Sequence, residues 1–492
     1  MSRAGSWQAP APARLPSAGL RGWRTRNGGY AAVVEVPPQW RGSTSAIAGL
    51  RPFPTASTPP LLGVPLGPSL TDLAGGGACV CADPISWFER GRLIGNPSAF
   101  VLGRPGLGKS TLVRRMVLGL AAAGVTPLIL GDLKPDYVDL IAALGGQVIT
   151  LGRGAGVLNV LDPGGMAAVA DRLPSRIAEQ MRIEAHHRRT TMVTALLSLG
   201  RTAALTEPER VGLSAALTDL AAGRAADEQP TLSELLALLH TPTARMLAST
   251  LSRDPEHWAE QMRPLLHSVR HLVDSPIGAM FDGQTTTRLD LTSPALAVDV
   301  SAVPADAESQ AAALLATWAD GFGAVEAANA LTDAGLAPQR RFLLVLDELW
   351  RALRAGAGMV DRLDALTRLN RAHGVGQVMI THSLKDLDAL PDPADRAKAA
   401  GFVERAGMLF LGGLPMAELA GVRRVADLTD AEARLITGWS SPASLTARRS
   451  APPGVGHFLL KVGGQPGVPF ALRLTWAELD AGVHETNQRW SA

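Results

Sequence analysis

Nine consecutive residues, Gly103 to Thr111 (GRPGLGKST), carry residue types that hold phosphate. Gly103, Gly108, Lys109 and Ser110 fit the spacing G-x-x-x-x-G-K-[ST]. Glycine lets backbone N–H groups close around a phosphate where a Cβ would intrude. A lysine in this position reaches β- and γ-phosphate oxygens, and the following hydroxyl can bind Mg2+. Arg104, Pro105, Gly106 and Leu107 fill out the loop, and Thr111 follows it. All nine are therefore candidate nucleotide-binding residues.

A second candidate set lies at Arg341–Trp350 (RFLLVLDELW), where an apolar run ends in Asp347-Glu348. Asp347, with Ser110, is expected to hold the magnesium. Glu348 is expected to orient and deprotonate the attacking water. An acidic pair after a strand is a weak signal alone, and it gains weight from the upstream phosphate loop. No guanine-specific element is visible, so ATP with Mg2+ is the expected ligand.

These side chains need a rigid frame. The loop follows an apolar run (AFVL) and opens a helical stretch (STLVRRMVLGLAAAG). Short apolar runs predict strands at Ala99–Leu102, Pro127–Leu130, Gln147–Leu151, Leu296–Val300, Phe342–Leu346, Gln377–Ile380 and Met408–Leu411. Their long separations point to a parallel α/β sheet. Residues 454–474 read as a β-hairpin. Between about Met166 and His271 strands vanish and helical patterns take over. Helix starts are expected at Thr206–Arg210 (TEPER) and at Thr231 with Glu234, a capping box. The expected division is a basic N-terminal segment (1–60), a first core part (61–165), an all-helical insertion (166–275) and a second core part (276–492).

Further segments carry a family likeness. GDLKPDYVDL…LGG…LNVLDP (131–163) resembles a stretch of the FtsK/HerA-type motor ATPases, with matches at Asp132, Lys134, Asp136 and Tyr137, and partial matches at Asn159, Leu161 and Asp162. Gly63–Gly67 (GVPLG), Asp83-Pro84, DELW at Asp347, Glu348 and Trp350, GVGHFLLK and TWAELD are similar to segments of the type IV secretion and conjugation ATPases, the TraC-like assembly ATPases, in an actinobacterial branch. The resemblance runs from about residue 50 to the end, excluding parts of the helical insertion. It implies a RecA-like P-loop ATPase core that self-associates as a ring, a hexamer, and works with membrane components of a secretion apparatus. DNA and the inner face of the membrane are further implied contacts.

The chain departs from that pattern in three ways. Only about 90 residues precede the motor. The residues after the fourth core strand, where the family has a glutamine sensing the γ-phosphate, are Thr381-His382, and His382 is the candidate sensor. The family's arginine motif is loose: TRLNRAHGVG offers Arg368 and Arg371, three apart on one helical face, as candidates for an arginine reaching a neighbouring subunit's γ-phosphate. Arg448 and Arg449 are the reserve candidates. Two alternatives stay open: a HerA/FtsK-like DNA-translocating motor or coupling protein, and an ATP-binding scaffold with weak or no turnover.

Other clusters read as structural. Glu184 and His187 share a helical face, but two ligands are too few for zinc, and Arg182, His186, His187, Arg188 and Arg189 read as a solvated basic face. Cys79 and Cys81 read as small buried hydrophobes, and two cysteines exclude a disulfide scaffold.

Composition bounds the rest. The 492 residues are 46% hydrophobic and 19% charged, which excludes a disordered chain. Net charge is +2, so no global electrostatic argument for nucleic acid exists. Residues 1–60 nonetheless hold seven arginines against one acid, Glu35, which suits either a solvated tail or an anionic partner, and Tyr30–Val36 is one possible strand. Mean hydropathy is +0.12, yet no apolar run approaches the roughly 20 residues of a membrane span, and no signal peptide is visible. A cytoplasmic protein is expected, with peripheral membrane contact open.

Overall fold

The computed structural model describes residues 60–71, 78–152, 154–201, 203–224, 228–354, 360, 363–364, 373–390, 392–442 and 452–484. Its centre is a nine-stranded sheet. In chain order the strands are β3 (Ser98–Leu102), β4 (Thr126–Asp132), β5 (Gln147–Gly152), β6 (Leu296–Ala302), β7 (Phe342–Leu346), β8 (Val375–Thr381), β9 (Met408–Leu411), β10 (His457–Lys461) and β11 (Val468–Ala471). They lie in the order β11-β10-β9-β3-β8-β7-β4-β6-β5. From β9 to β5 every pairing is parallel, and β10 and β11 add an antiparallel edge. β1 (Pro65–Pro68) and β2 (Cys79–Cys81), which the apolar pattern did not predict, form a separate antiparallel pair.

Strand residues alternate between two cores. Phe100, Leu102, Leu344 and Leu346 pack on one face, while Ala99, Val101, Leu343 and Val345 pack on the other. Both faces are covered, so β3 and β7 are buried throughout and read as continuous apolar runs. The helix Lys109–Ala122 covers one face with Leu112, Val113, Met116, Val117 and Leu120. The 27-residue helix Ala307–Asp333 covers the other. Its alanine and glycine content is a packing device: a Cβ at Gly321 would stand 2.1 Å from Leu130 Cδ1. Trp318 closes that contact by donating its indole N–H to the Leu130 carbonyl at 2.6 Å.

Between β5 and β6 the chain is helical, from Gly165–Ala170 through the 25-residue helix Ser175–Leu199 to Gly278–Phe281. Thr231/Glu234 forms the expected capping box, and the helix start expected at Thr206–Arg210 proves to be capped in the same way, by Thr206 with Glu209. The basic face expected on Ser175–Leu199 is not solvated as a whole. Arg182 and His187 are exposed, but Arg189 is buried and Arg188 pairs with Glu326 at 2.6 Å. Among the described residues no helix is long and apolar enough to cross a membrane. No group of three or more His, Cys, Asp or Glu side chains there is placed to hold a metal ion. Cys81 is buried and Cys79 half-buried, both free, and burial pushes the Cys81 thiol up to about 11, with Cys79 adding to the rise.

Candidate functional site

The candidate residues meet at the C-terminal edge of the parallel strands, where open α/β sheets bind ligands. Leu102 of β3 lies level with Thr381 of β8, and Met379 of β8 lies level with Leu346 of β7. The phosphate loop, Thr381-His382 and Asp347-Glu348 therefore leave three adjacent strand ends. With about 4.8 Å between strands, the loop and the acidic pair stand roughly 10 Å apart, with His382 between them.

The loop has the backbone its sequence implies. Gly106 and Gly108 take φ of +78° and +94°, the left-handed region that only glycine enters freely. No heavy atom lies within 4 Å of where a Gly106 Cβ would stand, so the loop is open there. Such a cradle, at the N-terminus of the helix Lys109–Ala122, fits a phosphate. Elements distant in sequence hold the loop: Arg104 N–H donates to Gly413 O, Gly456 N–H to Leu107 O, and the Arg104 guanidinium to Ser440 O. The Gly412-Gly413 pair and the start of the β10–β11 hairpin are thus site supports that sequence reasoning missed. The glycine runs were the available signal.

Lys109 is buried, and its ammonium faces Gly103 O at 2.7 Å, Arg104 O at 3.2 Å and His382 Nδ1 at 2.8 Å. Burial brings it down to about 8, with Asp347 and Glu348 pulling the other way, so it keeps its proton at pH 7. An ammonium only donates. Nδ1 of His382 must then accept, which leaves the ring proton on Nε2, facing Glu348 Oε1 at 3.3 Å. His382 bridges Lys109, the candidate phosphate-binding lysine, and the candidate base.

Asp347 is fixed through both oxygens. Oδ1 accepts the Glu348 N–H at 2.8 Å and Oδ2 accepts the Tyr137 hydroxyl at 3.2 Å. Burial raises its carboxyl, and the neighbouring Glu348 charge adds to this. A buried carboxylate beside a second carboxylate is a donor set that a divalent cation would neutralise, so Asp347 fits the expected magnesium. Ser110, half-buried in the first turn of the phosphate-loop helix, is the second candidate ligand.

Glu348 stands at φ +51°, a left-handed position outside glycine's preserve. Oε1 accepts from Lys134 at 2.6 Å and Oε2 from the Trp350 indole at 2.6 Å. Burial alone would raise its carboxyl, but hydrogen bonds from His382 and Lys134 hold it well below the ordinary carboxylate range. Lys134, Tyr137 and Trp350 were visible in sequence only as family matches. The structure supplies their contacts.

Other matched residues serve the frame. Asp132 is buried, accepts the Tyr137 N–H at 2.7 Å and is pushed up to about 7 by that burial. Asp83 Oδ1 accepts the Ser86 N–H at the start of the helix Pro84–Glu89, while Oδ2 accepts the Val64 N–H. Asn159 and Asp162 lie beyond β5, outside the candidate site. Arg368 and Arg371 fall outside the described residues, as do Arg448, Arg449 and residues 1–59.

No protein-family model matches this sequence, and no curated protein does. Solved structures do. VirB4 of Thermoanaerobacter pseudethanolicus superposes with a TM-score of 0.61 at 18% identity, over 85% of this chain and 98% of that one. The plasmid coupling protein TrwB in complex with the non-hydrolysable ATP analogue ADPNP aligns at 14% identity with a TM-score of 0.45, over 77% of this chain and 85% of that one. The chain thus has the mixed α/β, RecA-like fold of VirB4.

Proposed function

We propose that this protein is an ATP-hydrolysing ring motor that energises a type IV secretion or conjugation apparatus. The observation carrying the ATPase part is the meeting of an open left-handed glycine loop, Lys109, His382 and Asp347-Glu348 on three adjacent strand ends. The secretion part rests on the VirB4-like fold and the sequence likeness. A hexamer, contact with secretion membrane components, DNA as a transported substrate and a peripheral seat at the inner membrane face belong to the same reading.

The residue roles follow from their chemistry. Loop N–H groups from Gly103 to Thr111 and the Lys109 ammonium bind the β- and γ-phosphates. Asp347 and Ser110 hold Mg2+, which when bound neutralises phosphate charge. Glu348 aligns a water and takes its proton as the water oxygen bonds to the γ-phosphorus, while the bond to the β–γ bridging oxygen breaks and ADP leaves. His382 follows the γ-phosphate through its link to Lys109. Arg371 or Arg368 of a neighbouring subunit offsets charge at the γ-phosphate, an effect typically worth about 10³–10⁵ in rate.

The test joins two measurements. Lys109→Ala should lose ATP binding and hydrolysis and keep its melting temperature. Arg371→Ala and Arg368→Ala should each be assayed alone and mixed with Glu348→Gln subunits. A finger acting between subunits gives a single variant that binds ATP but does not hydrolyse it, and recovered hydrolysis in the mixture. Wild-type hydrolysis by Lys109→Ala would sink the ATPase reading.

A further inference from the structure

Glu348 is held on more sides than a water-activating base needs. Oε1 receives Lys134 at 2.6 Å and His382 Nε2 at 3.3 Å, and Oε2 receives Trp350 at 2.6 Å. A carboxylate offers about four acceptor positions, so about one remains. The oxygen facing His382, and through it Lys109, is the one carrying two donors. A water on the phosphate side therefore meets a filled oxygen.

The three donors differ in their freedom. His382 is tied at its other nitrogen to Lys109. Trp350 is half-buried and follows the fully buried Leu349 in the helix Leu349–Arg354. Lys134 stands on the turn after β4 with 57% of its side chain exposed, although its carboxylate partner is only 8% exposed. Only the lysine end of that pair can exchange its partner for bulk water. Lysine's flexible stem lets that end swing out without unpacking anything.

We propose that Lys134 is a latch on Glu348: it fills Oε1 in the resting protein, and hydrolysis requires it to leave. The inference rests on the ATPase reading above, which supplies the competitor for that oxygen, the attacking water. Lys134 is thus a positioning residue that withholds the base, acting on turnover and leaving nucleotide binding alone.

The test uses the full-length chain. Lys134→Met keeps length and removes the donor; Lys134→Arg restores it. The expected result is that Lys134→Met raises kcat about fivefold or more at unchanged KM, and Lys134→Arg returns to the wild-type rate. A lowered or unchanged kcat in Lys134→Met overturns the latch. A second readout needs no hydrolysis: 5-fluorotryptophan labelling, with the Trp350 resonance assigned through Trp350→Phe. In nucleotide-free protein that resonance should move in Lys134→Met and hold in Lys134→Arg, since Trp350 binds the other oxygen of the same carboxylate. A fixed resonance overturns the latch whatever the enzyme does. Failure of the ATPase reading looks different: neither wild type nor Lys134→Met hydrolyses ATP, and Lys109→Ala binds it as well as wild type.

Discussion

Two polar networks, each anchored on buried side chains, sit at opposite ends of this molecule's logic. One, at the ends of β3, β8 and β7, joins Lys109, His382, Glu348, Lys134 and Trp350. The other, beyond β5, joins Asn159, Asp162, Arg189, Gln229 and Arg288. There Asn159 accepts the Leu161 N–H and donates to Pro230 O, while Arg189 donates to Leu161 O at 2.6 Å and to Gln229 at 2.9 Å. Asp162 accepts the Gly164 N–H and pairs with Arg288 at 3.1 Å. The second network is closed: its bonds run between segments that must stay together, the post-β5 loop, the helix Ser175–Leu199 and the approach to Leu232–His240. The first is open: it includes an exposed lysine and a left-handed backbone at Glu348. Closed networks specify a fold, while open ones store interactions that a ligand can exchange.

The largest effect that separates them is on rate. Glu348→Gln keeps the side chain's shape but cannot take a proton, so hydrolysis should fall about 10²–10⁴-fold. ATP binding should hold, while the melting temperature falls slightly, because an amide accepts through only one of the two atoms that now receive donors. A matching loss of affinity, measured by titration with labelled ATP, would make Glu348 part of the binding frame and erase the contrast.

Arg189→Met should do the reverse. It removes a buried donor from Leu161 O and from Gln229, a loss of about 1–3 kcal/mol. The melting temperature should drop, and kcat per folded molecule should stay within about twofold of wild type, well inside the range that one lost catalytic interaction spans. A selective fall in kcat with unchanged stability would mean that the second network also serves the reaction.

The two networks also differ in how far sequence reveals them. The phosphate loop and the acidic pair could be named because their chemistry demands particular residue types at fixed spacing, and the strands carrying them are short apolar runs flanked by turns; His382 could be named only by its place in the family pattern. Lys134 and Trp350 were quotable as motif matches, yet their role depends on Glu348 reaching across from β7 to β4, a contact between residues 214 positions apart for Lys134. Arg189 misled for the same reason. Five basic residues in a helix look solvated, and nothing local says that one of them turns inward to Leu161. β1 and β2 escaped because Pro65–Pro68 and Cys79–Cys81 are only four and three residues long, too short to show a period.

The smallest expected effect is a pH dependence at the closed end. Asp320, on the long helix Ala307–Asp333, is pushed up to about 7 by burial, with the charge of Asp162 adding to the rise and Arg288 and Arg188 opposing it. A raised acid binds its proton more tightly in the folded chain than in the unfolded one. Folding therefore takes up a proton between about pH 4 and pH 7, and stability falls as pH climbs through that window. Above it, the folded protein bears the full cost of a buried carboxylate. Asp320→Asn removes the charge and so removes that cost. Melting of the variant and the wild type should differ more at pH 8 than at pH 5, in the variant's favour, by roughly 2 °C. The open network adds nothing to this difference, because Asp320 shares no hydrogen bond with Lys109, His382 or Glu348 among the described residues. If the gap between variant and wild type is the same at both pH values, Asp320 is ionised as usual. The closed network would then hold a charge that it must balance through Arg188 and Arg288.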